Sequence, residues 1–192
     1  MCAILAAGLW GCATIDDLSQ EAFRAPAFGP EQLRGQTVGV LPVFARGSRR
    51  SYLDSANHVF RDSLKSEWHT ASTIASEEVL RRIADGGAQA EYLATEQRYA
   101  SGLVPEETPL RRIATAVGAR YLLLTELTDV ELAEGATQVR LAGRLWDADG
   151  GRIVWEGSGT GRGYVFLIFP WAPSSFEKTM AVASRGLLRN VQ

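Results

Sequence analysis

The sequence predicts an α/β domain built on a mixed sheet of about five strands, parallel strands followed by an antiparallel meander, with helices on its faces. Three observations predict it. Across 118–157 three strand-like runs follow one another with only turn residues between them. Upstream, Val38, Gly39, Val40 and Leu41 form an apolar run closed by Pro42, as a central parallel strand requires. Between these regions and after them lie stripes at helical spacing, so strands and helices alternate along the chain.

The 36–43 stretch opens the fold as the first strand. A basic, Gly-containing loop follows at 45–50, and Ser51 with Asp54 has the spacing of a helix N-cap. Leu53, Ala56, Phe60 and Leu64 then share one helical face, with Val59 beside them. The 69–74 stretch reads as a short second strand. Ser76 is placed to cap a second helix that turns Val79, Leu80 and Ile83 inward and stops at Asp85, Gly86 and Gly87. A further helix is expected over 88–100.

Thr108 and Pro109 start the next helix, because the N–H that proline lacks has no partner in a first turn. Its stripe is Leu110, Ile113, Ala114 and Val117, and Gly118 supplies a left-handed stop. Tyr121, Leu122, Leu123 and Leu124 then form a strand apolar on both faces, with Leu123 expected to pack against that stripe. Val139, Leu141, Gly143 and Leu145 alternate with Arg140, Ala142, Arg144 and Trp146, the period of a strand with one dry face. A turn at 147–151 leads into Ile153, Val154 and Trp155. Ser174 with Glu177 reads as a capping box for a closing helix whose stripe is Phe176, Met180, Ala183 and Leu187. Right-handed crossovers make the first three strands parallel neighbours, and the meander extends one edge.

The domain boundaries follow from composition. Residues 1–11 are almost entirely small or apolar, the character of a signal-peptide core and too short to span a bilayer. They run through Leu9, Trp10 and Gly11 into Cys12, which resembles the bacterial lipobox; the alternative is a buried N-terminal segment or a non-lipidated leader. The expected organisation is a signal peptide and lipobox over 1–12, a tether over 13–35 marked by Pro26, Gly29, Pro30 and Gly35, and a single α/β domain over 36–192. Cys2 and Cys12 are the two cysteines of the chain, so the body has no disulfide or thiolate chemistry to offer.

Three stretches together resemble a known group: Val38 to Val43; Val117, Gly118, Ala119 and Arg120 before Tyr121; and the strand pair around Trp146 and Trp155. The pattern is similar to the TolB N-terminal-like domains, among them the curli secretion lipoproteins and the lipoprotein activators of penicillin-binding proteins. The resemblance implies an envelope lipoprotein that binds other proteins or assembles. It implies acylation at Cys12, and with Ala13 following, sorting to the periplasmic face of the outer membrane.

Chemistry is sparse. A net charge of −2 with interspersed signs gives no case for nucleic acid. His58 and His69 lack the clustered partners of a metal site, so no metal or cofactor is expected. Asp147, Asp149 and Gly150 begin like a calcium loop, but position six is Arg152 and position twelve is Ser158. No nucleophile, base and orienter can be assembled, and the chain reads as a non-enzyme.

Two adjacent stretches carry the functional expectation instead. Gly157, Gly159, Gly161 and Gly163 leave one face of an extended segment bare, to be approached by the protein's own helix, by a flexible loop or by a partner's backbone. Tyr164 to Trp171, with Phe166, Phe169 and Trp171, is either a further core strand or an exposed apolar patch for a protein partner or a lipid surface. The four glycines and three aromatics are thus the candidate partner-binding residues. The second expectation is an auxiliary lipoprotein of an envelope transporter, holding a lipid or small ligand in a cleft near the glycines.

Overall fold

Chain order sets the layers. In the computed structural model, which describes residues 13–133, 135–165 and 172–192, β1 (Ala13–Asp17), β2 (Gln20–Arg24) and the short α1 (Pro30–Leu33) precede β3 (Thr37–Val40) and β4 (Phe44–Ala45). A 3-10 helix (Gly47–Tyr52) runs into α2 (Leu53–Glu67), followed by β5 (Ser72–Ile74), α3 (Ser76–Asp85), α4 (Gln89–Ala100) and α5 (Glu107–Val117). The long meander β6 (Tyr121–Ala133), β7 (Ala136–Asp147) and β8 (Arg152–Val165) leads to β9 (Ala172–Pro173) and α6 (Phe176–Val191).

One mixed sheet gathers every described strand. Its order is β1-β8-β7-β6-β3-β5, with β2 and β9 also on β8 and β4 on β6. Strands β5, β3 and β6 are parallel neighbours, and β6, β7 and β8 are antiparallel, as the alternation of runs and helices predicted. The fold class is the expected one. The strand count is higher, nine against about five.

The excess comes first from the N-terminal stretch. Residues expected to form a tether instead pair with β8, Ala13 opposite Val165 and Gln20 opposite Ser158. Leu18 N donates to Thr160 O at 2.8 Å and Ala25 N to Val154 O at 2.9 Å. Most side chains of this edge are exposed, so hydrogen bonds hold it and no dry face betrays it in the sequence. The 45–50 loop likewise becomes the end of β4 and a 3-10 turn. There Ser51 Oγ donates to Ser48 O and does not cap α2.

The sheet separates two apolar layers. On one face α2 and α6 bury Phe60, Leu64, Met180 and Leu187 against Val40, Leu123, Leu141 and Trp155. On the other, α3, α4 and α5 bury Ile83, Tyr99, Ile113 and Val117 against Leu122, Leu124 and Trp146. Leu123 was expected beside the α5 stripe. Successive strand residues point to opposite faces, so its neighbours Leu122 and Leu124 take that role. α5 ends at Gly118 with φ 71°, the left-handed stop that its sequence called for. Ser175, one residue beyond the expected cap, accepts from Lys178 N at 3.4 Å to start α6.

Candidate functional site

The glycine series lies on β8 with its bare face toward α6. A Cβ on Gly159 would collide with the carbonyl of Ala183 and stand 2.8 Å from the Leu187 Cβ. One on Gly161 would meet the carbonyl of Thr179, and one on Gly163 would stand 2.8 Å from the Ser174 Cβ. Gly157 is closed by the Trp155 ring beside it and the carbonyl of Gln20. α6 answers with small residues of its own, since a Cβ on Gly186 would run into Ser19 and Asp17. The helix backbone therefore sits almost on the strand. Of the occupants that sequence reasoning weighed for this face, the chain's own helix fills it, and the larger cavities among the described residues open elsewhere. Phe166, Phe169 and Trp171 lie outside the described residues.

Around this ridge several polar groups pair locally, while Ser174 Oγ and Ser184 Oγ are buried without a hydrogen-bond partner. The Trp155 indole N–H, wholly buried, donates to Glu21 Oε2 at 3.1 Å, and Arg24 holds the same carboxylate at 2.6 Å. The Arg24 hydrogen bond lowers the Glu21 pKa below its usual value against the opposing effect of burial, with the Arg24 charge and Trp155 assisting. Thr137 Oγ1 donates to Ser174 O at 2.6 Å and ties β7 to the segment before α6.

Several cavities open elsewhere, among them two that meet at Tyr99. A cleft of about 450 Å³ lies beyond the carboxyl end of β3, between α2 and α4, over Phe44. Phe44 stacks on Tyr99 with centroids 4.5 Å apart, Leu53 and Tyr92 extend the floor, and Arg50, Asp54 and Glu96 stand at its rim. Asn57 Oδ1 accepts from Val43 N at 2.8 Å, which fixes the chain where Pro42 interrupts the strand. Burial, with the charge of Glu96, pushes the Tyr92 phenol up to about 12, so it stays a neutral donor.

A smaller pocket of about 170 Å³ sits at the hairpin end of the meander, under the α4–α5 connection. Leu110, Leu124, Trp146 and Ile153 make its walls, with Val104 at the mouth. Arg144 crosses one side, donating to Glu156 at 2.7 Å and hydrogen-bonding the Tyr99 hydroxyl. Neither cavity was legible in the sequence, because each is lined from segments far apart in the chain whose residues also read as ordinary core.

The remaining sequence candidates stay apart. His58 and His69 are both exposed, and His58 Nδ1 lies 2.6 Å from Arg61 Nη2 within α2. Asp147 and Asp149 face Arg120 at 3.6 and 3.5 Å across the hairpin turn. Among the described residues no three His, Cys, Asp or Glu side chains gather in a cluster able to hold a metal ion.

A mixed sheet with α2 and α6 on one face and three helices on the other defines the class of this protein. No family model matches the chain, and no curated protein matches it. Among solved structures it is similar to the PelC dodecamer from Paraburkholderia phytofirmans, in a point variant at 16% identity, covering 93% of this chain and 98% of that one, TM-score 0.53. A second crystal form of PelC gives 17% identity, 94% and 98% coverage and TM-score 0.52. The LpoB C-terminal domain from Escherichia coli is a more distant likeness, at 22% identity, 67% and 83% coverage and TM-score 0.40. The fold is thus shared with PelC over nearly its whole length.

Proposed function

We propose that this chain is a non-enzymatic, lipid-anchored protein of the cell envelope, whose α/β domain binds a protein partner or self-associates at the end of the sheet where β1 and β8 meet. The observation that carries this reading is the register of that edge. Ala13 pairs with Val165, which puts the residue after Cys12 beside the start of the apolar stretch 166–171. In this reading Cys12 carries the acyl anchor on the periplasmic face of the outer membrane, and Phe166, Phe169 and Trp171 carry the association. The glycines serve this arrangement indirectly, by letting α6 brace β8. Self-association is supported by the shared fold with PelC, whose crystals contain a dodecamer.

The test is a full-length chain with Phe166, Phe169 and Trp171 all replaced by Ser. Association with its partner, with further copies or with membrane should be lost while the thermal midpoint stays within a few degrees. A triple variant that unfolds makes the stretch core and overturns the reading. Mass spectrometry of the mature N-terminus should find acylated Cys12.

The second reading, an auxiliary protein of an envelope transporter that holds a small ligand, is favoured by the 450 Å³ cleft beyond β3, a volume within the range of ligand sites. Replacing Ala45 at its floor with Phe would then abolish ligand binding and leave association untouched.

A further inference from the structure

We propose that the pocket over Trp146 is a docking site for one aromatic side chain of a partner protein, with a carboxylate in the partner's flanking sequence bound by Arg152. The inference rests on the partner-binding reading above and names the chemistry of a partner at the opposite end of the domain.

Size selects the occupant first. At about 170 Å³ the pocket is smaller than the roughly 300–1,000 Å³ of small-molecule sites. It is close to the ~150 Å³ apolar cavity that admits a single benzene. One ring fits and a cofactor does not. The walls Leu110, Leu124, Trp146 and Ile153 offer such a ring dispersion contacts, and the apolar surface continues outside, where Leu103 and Val104 are 52% and 55% exposed. An apolar pocket with an apolar shoulder is the form of an interface hot spot.

Charge selects the flanking sequence. Around the mouth, Arg111 is paired with Glu107 and Arg144 with Glu156, and beyond it Arg120, in a neighbouring cavity, takes both Asp147 and Asp149. Arg152, exposed at the same mouth, has no carboxylate partner among the described residues. An acidic residue beside the partner's ring supplies it.

Position argues for protein over lipid. Ile153 and Val165 are twelve residues apart on β8, roughly 40 Å at strand rise. The pocket therefore lies at the far end from the edge where the proposed anchor emerges. Val165 and Ala172, paired with each other, are both held at that other end.

The test is an NMR titration of the full chain with three capped pentapeptides, Ser-Asp-Phe-Asp-Ser, its Asn-Phe-Asn analogue and its Asp-Ala-Asp analogue. The first should bind about tenfold more tightly than either of the others and shift the Trp146 indole signal. Arg152→Gln should remove the preference for Asp over Asn. Ile153→Trp, which fills the pocket, and Val104→Asp, at its exposed lip, should each weaken the Phe peptide to the level of the Ala peptide. Equal binding of the three peptides, or an unchanged Asp preference in R152Q, overturns the inference. If that occurs while the Phe166, Phe169 and Trp171 triple variant still loses association, the envelope reading stands and this site falls alone.

Discussion

At the scale of single residues, the contact between β8 and α6 is set by what Gly159 lacks. With the Ala183 carbonyl against the space that a methyl group would fill, Gly159→Ala should cost about 1–3 kcal/mol in a urea melt, the usual range for overpacking. Ser158→Ala, on the opposite face of the same strand, should stay within about 0.5 kcal/mol. Glu21 supplies a second residue-level test. Its carboxyl is held below the usual value of 4.5 by Arg24, so the stabilisation it lends is present above that usual value and is lost as pH falls through the lower folded value. Trp155 reports it directly: its emission should be flat down to about pH 4.5 and change below that, and Glu21→Gln should abolish the acid transition. Leu122→Ala, beneath α5, should cost about 2–5 kcal/mol.

At the scale of elements, the sequence carried those pieces whose side chains sort by face. The α5 stripe, its Gly118 stop and the alternation in β7 were legible because burial on one side writes a period into the chain. β1 and β2 were not. An edge strand held by backbone bonds has no side-chain period to write, and Pro26 and Gly29 lent the region the look of a linker. Amide exchange separates the two descriptions: the Leu18 and Ala25 N–H groups, bonded to Thr160 and Val154, should be protected well beyond those of a solvated segment. For the candidate site, the bare glycine face was visible as a pattern, but which element covers it depends on a helix some twenty residues later. The pockets were invisible for the same reason, being made where elements meet. Ser175→Ala should cost α6 about 0.5–2 kcal/mol, toward the low end because the cap bond is long.

At the scale of the whole molecule, the two ends of β8 have different company: β1 and the apolar stretch at one, the hairpin and its Arg-rimmed pocket at the other. That polarity suits the proposed place between a membrane surface and a partner. The pairing of Ala13 with Val165 sets how it stands. Folded structure starting one residue after the proposed acylation site gives the domain no leash. With Cys12 acylated as proposed, the domain would slide in the plane of the bilayer and turn about the normal, and its working range normal to the membrane would be its own height, about 45 Å along β8. Ten Gly-Ser residues inserted between Cys12 and Ala13 would lengthen that range by about 17 Å. Function that tolerates the insertion would belong to a protein that reaches. Function that fails with it, in a chain still acylated and folded, would belong to one that works by holding its partner at a fixed altitude.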